Sequence, residues 1–99
     1  MPNSEYQKFA DTLSDDFSVS LESGETLALN LAEVSALKQQ DEFSHFSLIF
    51  NGPKTTMLPQ GMYPINHHQI GLSHIFLVPM EKHDTHCSYQ AVFNLKSAA

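Results

Sequence analysis

The chain contains no arginine, and its five lysines stand against eleven aspartates and glutamates, for a net charge of −6. Proteins that grip phosphate backbones do so with clustered Lys and Arg, so direct nucleic-acid binding is not expected, and anionic membrane surfaces are disfavoured likewise. A single cysteine, Cys87, excludes an intrachain disulfide. The longest apolar runs are about four residues, far below the roughly 20 that span a bilayer. The opening MPNSEYQKFADTL has no basic segment followed by an apolar one, and a cytoplasmic setting is expected. Nucleophile motifs, phosphate-binding loops, paired catalytic carboxylates and recognised metal spacings are absent too.

What is present fits one domain over residues 1–99, with 41% apolar and 16% charged residues and ten aromatics to fill a core. The charge is uneven. Residues 1–42 hold nine acids and two lysines, a local net charge of −7, whereas residues 43–99 hold two acids and three lysines. All six histidines lie in the second part, which makes it the side that would respond to mild acid.

Hydrophobic spacing predicts a short N-terminal helix and then strands. Tyr6, Phe9, Ala10 and Leu13 recur at helical intervals behind Pro2 and an Asn3 or Ser4 cap, which predicts a helix over about 4–14. A β core over about 16–95 follows. Phe17, Val19 and Leu21 alternate, Gly24 supplies a tight turn, and Leu27, Leu29 and Leu31 return as a hairpin. Residues 32–42 read as a turn of helix or an exposed connector. Four further strands are expected at about 44–51, 62–67, 74–80 and 87–94, with the fifth of the six buried on both faces and Pro64 marking an edge or bulge in the fourth. LKSAA is a short C-terminal tail. Six strands at such intervals predict a mainly β fold, an antiparallel meander forming a small barrel or a two-layer sandwich, with the helix plugging one end.

If strands three to six pair as successive hairpins, His45, His67, His68 and His74 gather at one end, and His83, His86 and Cys87 at the other. Imidazoles on neighbouring strands can ligate zinc, copper or nickel, so His45, His67 and His74 form a candidate metal set. Their face parities differ, and ordinary strand-end histidines are the competing reading. Cys87 follows His86, but neighbours on a strand face apart, so a structural cysteine is expected rather than a nucleophile. Asp11, Asp15, Asp16, Asp41 and Glu42 lack a calcium-loop spacing and read as a solvated face. The motif LPQGMY either turns a barrel corner or shapes a ligand groove, and Gln60, Tyr63, His67, His74 and Tyr89 are the candidate ligand residues.

The motif order F-x-L-x-F-x-G-P, L-P-Q-G-x-Y, G-x-x-x-x-F-L-V-P and Y-x-A-V-F-N, over roughly residues 15–95, resembles a family of small uncharacterised bacterial β domains of unknown function. The resemblance implies a structural or binding module loosely associated with phage-tail-collar-like proteins, and it carries over no catalytic residue. The HDTHC segment departs from it, where a shorter or Gly-containing loop is expected. The resulting expectation is a non-catalytic β module, without cofactor, that binds a protein partner or itself. A barrel holding a metal or small ligand at its histidine-rich end is the alternative.

Overall fold

The structure, a computed structural model, describes residues 4–40, 43–55 and 57–96. A helix α1 (Ser4–Ala10) precedes seven strands: β1 (Asp16–Ser20), β2 (Thr26–Val34), β3 (Lys38–Gln40), β4 (Phe43–Pro53), β5 (Gly61–His67), β6 (Gly71–Lys82) and β7 (His86–Lys96). Six of them close into an antiparallel barrel in the cyclic order β1, β2, β4, β7, β6, β5, while β3 pairs beside the first residues of β4. The mainly β fold with one short N-terminal helix is thus the one the spacing predicts, and the barrel rather than the sandwich is realised.

Alternation explains the wall. Along β4, Ser44, Phe46, Leu48, Phe50 and Gly52 point inward and the residues between them outward. The same parity sends Phe17 and Val19, Leu29 and Leu31, Ile65, Ile75 and Leu77, and Tyr89 and Ala91 into the interior. A six-stranded barrel is narrow enough for such side chains to fill completely, so this is a packed core rather than a pore. Each large apolar group so buried stabilises the fold by roughly 1.5–3 kcal/mol.

One expected hairpin does not form. β4 pairs with β7 over its whole length, from Phe43↔Lys96 to Pro53↔His86, and with β2 through Asn30↔Asn51 to Val34↔Leu48. Both edges of β4 are then occupied, so β5 joins the opposite side of the ring, beside β1 at Ser18↔Asn66 and Val19↔Ile65. The segment from 54 to 60 must therefore cross a barrel end. It buries Leu58 as it does so, and the Leu58 amide donates to the Tyr89 hydroxyl at 2.9 Å. Pro64 sits where pairing to β1 has already stopped, so its missing donor costs that ladder nothing.

The other end is closed by α1, whose Phe9 ring lies 5.3 Å from Phe93, 6.2 Å from Phe46 and 6.3 Å from Phe17. The helix is shorter than its apolar spacing predicts. The Thr12 hydroxyl donates to the carbonyls of Lys8 and Phe9, Ser14 takes a left-handed φ of 75°, and Leu13 turns out to solvent. The connector expected at 32–42 is reduced to residues 35–37, between strand at 32–34 and at 38–40. β2 runs on to Val34 past a register shift after Leu31, and Ser35 keeps the chain beside β4 by exchanging hydrogen bonds with Ser47. The tail is shorter too, since β7 continues to Lys96. Pro2, Asn3, Asp41, Glu42 and residues 97–99, which enter the expected cap, acidic face and tail, lie outside the described residues.

Candidate functional site

Antiparallel pairing does bring His45, His67, His68 and His74 to the same end of the barrel, the end that α1 covers, but by a different register from consecutive hairpins. His45 stands opposite Asn94 on β7, not a residue of β5, and His74 stands opposite Pro64. Parity then separates them: His45 and His74 point out of the wall, on β4 and β6, whereas His67 points in.

His67 is engaged at both nitrogens. Its Nδ1 accepts the Gln69 amide at 3.0 Å and the Ile70 amide at 3.4 Å, which leaves the proton on Nε2, and Nε2 donates to Asp15 Oδ2 at 3.0 Å. The ring packs 4.7 Å from Phe17, and His68 stacks on its other side at 4.4 Å. His45 holds the Asn94 side-chain oxygen through Nδ1. Among the described residues, no three His, Cys, Asp or Glu side chains gather closely enough to hold one metal ion. The set His45, His67, His74 is dispersed over two faces of the wall.

At the opposite end, Cys87 points inward, fully buried, with its thiol directed at the Lys54 carbonyl at 3.8 Å. His86 points away, its ring 4.4 Å from that of His83 and its Nδ1 paired with the Thr85 hydroxyl. His83 meets the Ser88 hydroxyl at 3.2 Å. No imidazole therefore addresses the sulfur, and the arrangement offers no route to a thiolate nucleophile.

The candidate ligand residues divide in the same way. Tyr89 is sealed in the interior, where its hydroxyl anchors the crossing segment, and burial is the main cause that raises its pKa above the usual tyrosine value. The Tyr63 hydroxyl donates to the Pro59 carbonyl, and its pKa is raised by partial burial and then by the charge of Glu22. Tyr63 lines a groove of about 490 Å³ with Leu21, Glu22, Pro59 and Met62, where β1 and β5 part. Gln60 is exposed on the segment beside it. His67 lies at the far end and His74 outside, so the five do not share a cavity. LPQGMY turns the corner and also edges this groove.

The outer wall holds a feature that alternation along single strands does not disclose. β6 is buried on one face only, for a closed barrel has no second layer to cover the other. Phe76 is 44% exposed, and Met62, Leu72 and Val92 are about 60% exposed, with Met80 near half. Met62 stands directly opposite Phe76 across β5 and β6. Residues 43–53, 57–80 and 85–95 contain no Asp, Glu, Lys or Arg at all, so β4, β5, most of β6 and nearly all of β7 form a continuous wall without formal charge. That gap in the charge pattern was the available signal, and it stands in the sequence itself.

No described helix is long and apolar enough to cross a membrane. No curated protein and no solved structure matches the chain. A family model, by contrast, matches residues 4–93, from the plugging helix through the last barrel strand, and the chain belongs to that family, a domain of unknown function designated DUF6916.

Proposed function

We propose that the chain is a non-catalytic β module for protein interaction or assembly in the cytoplasm, and that it docks through the outer wall of β5, β6 and β7. One observation carries this reading: Met62, Leu72, Phe76 and Val92 present apolar surface on a wall that has no formal charge in a chain of net charge −6. Contiguous exposed apolar surface on a soluble protein marks an interaction site more often than scattered exposed residues do. Protein interfaces are depleted of charge at their centres and enriched in Phe and Met. Nucleic acid is a poor candidate partner, because the wall offers no cation to phosphate. An assembly role also fits the association with phage-tail-collar-like proteins that the motif order implies.

The test is a double variant, Met62→Lys with Phe76→Glu, compared with wild type in sedimentation and in capture from a host extract. Loss of every association seen for wild type is expected. Associations that survive unchanged would overturn the reading. A second reading, a small-ligand module, is favoured only by the groove at Tyr63, where Leu21, Pro59 and Met62 supply apolar walls and Glu22 a single acceptor. A co-purifying mass lost in Tyr63→Ala would support it.

A further inference from the structure

We propose that the partner of the uncharged wall is a second copy of this chain, docked face to face about a two-fold axis near Phe76. The inference rests on the reading of this wall as a docking surface and names its occupant.

Charge selects the occupant. Asp15, Asp16, Glu22, Glu25 and Glu33 lie on β1, β2 and the turns that flank them, and in the ring β1 and β2 lie diametrically across from β7 and β6. Two copies meeting through the wall therefore turn their acidic sides outward, separated by both barrels and by much more than the Debye length of about 8 Å at physiological salt. Approach through the β1–β2 side brings carboxylates together. A basic partner, which a chain of this charge would otherwise attract, finds nothing to pair with on the wall, and its cations would be desolvated without compensation. Only a surface that is itself apolar and uncharged fits, and this chain carries one.

Topology removes strand addition as the competing mode. The six-stranded ring is closed, and the strand outside it, β3, is three residues long and begins with Lys38. Short, lysine-bearing edges resist pairing with another chain. Contact must then be through side chains of the wall. β6 is the middle strand of the apolar region, so an isologous interface places Phe76 at its centre, with Met62 of β5 directly opposite it and Val92 on β7, two residues past the β6–β7 pair Val78↔Gln90.

The size of the wall sets the strength. Three strands about 4.8 Å apart, with some seven residues rising about 3.4 Å each, give a footprint of roughly 10 × 24 Å. Even doubled for side-chain relief, that falls short of the ~800 Å² per partner of a standard interface. A concentration-dependent dimer in the micromolar range is expected, rather than an obligate one.

Sedimentation velocity of the purified chain from about 1 to 500 μM brackets that range. Wild type should dimerise, and Phe76→Glu should raise the dissociation constant at least tenfold. Ser18→Glu, on the outer face of β1, should leave it unchanged. Raising salt from about 0.15 to about 0.5 M should not weaken the dimer, whereas an acid–base contact would loosen. Met62→Lys reads the same surface on the neighbouring strand should Phe76→Glu fail to fold. A monomer throughout the range, or a dimer untouched by both wall variants, overturns the inference. If wild type is monomeric but captures a host protein that Phe76→Glu does not, the second copy is overturned while the docking reading stands. A monomer that captures nothing removes both.

Discussion

His67, buried on β5, donates from Nε2 to Asp15 Oδ2 at 3.0 Å across 52 positions of sequence, and so ties the segment after the plugging helix to the β5–β6 turn. The same ring accepts two amides of that turn at Nδ1, so one side chain organises the turn and fastens the cap. Asp15→Ala leaves a buried N–H without its partner and should cost about 1–3 kcal/mol. Asp15→Asn keeps an acceptor oxygen and should cost less. His67→Ala also removes the packing on Phe17 and should cost most, about 2–4 kcal/mol. Urea denaturation should rank the loss of stability as His67→Ala, then Asp15→Ala, then Asp15→Asn, and equal midpoints for Asp15→Ala and Asp15→Asn would deny the hydrogen bond its role.

Gly52 is the glycine whose missing side chain the core requires. A Cβ there would lie 2.6 Å from Leu29 Cδ2 and 3.3 Å from Tyr89 Cε2. Gly52→Ala should destabilise by about 1–3 kcal/mol through overpacking. At Gly61 the nearest atom would be 3.8 Å away, in the Tyr63 ring, and the same change there should be nearly silent. Thermal melts of the two variants compare them directly, and similar melting temperatures would contradict the packing.

The inward parity of Phe46, Leu48 and Phe50, and of Tyr89 and Ala91, was legible in the sequence, because strand alternation is a local property, whereas the unbroken apolar run Ile75–Val78 reads as buried on both faces. The turn at Gly24, whose φ is 91°, was legible for the same reason. Strand order was not. Whether β4 accepts β5 or β7 depends on which edges are free once β2 has docked, a long-range competition that local spacing does not encode. His45 therefore stands opposite Asn94 of β7 rather than a residue of β5, and the outward apolar face stayed hidden because β6 reads as buried on both faces. Lys38–Gln40, polar and three residues long, carries no strand period to read.

His45, His67 and His74 should not form a metal site. Three imidazoles would have to approach one ion to about 2.0–2.1 Å, yet His67 is held inside by Asp15 and two amides, while His45 and His74 face outward. Protein purified without chelator should carry the same sub-stoichiometric metal in wild type and in His45→Ala when measured by elemental analysis. A stoichiometric metal lost in His45→Ala would overturn this placement.

Tyr89 makes the crossing segment part of the fold, and its ionisation should release that segment. Burial raises the Tyr89 pKa, partly offset by the amide of Leu58, while the unfolded chain's tyrosine titrates near its ordinary value of about 10. Above that pH the unfolded state has given up a proton that the native state retains. Stability should therefore be fully present below pH ~10 and decline as the pH rises toward the native Tyr89 value. Tyr63, raised in the same direction but more exposed, adds a smaller share. Tyr89→Phe should lower stability near neutrality by about 1 kcal/mol, because the Leu58 amide loses its acceptor, and it should flatten the alkaline decline. Urea midpoints measured from pH 8 to 11, with amide exchange at Leu58, test both parts. An unchanged alkaline slope in Tyr89→Phe would place the titration elsewhere.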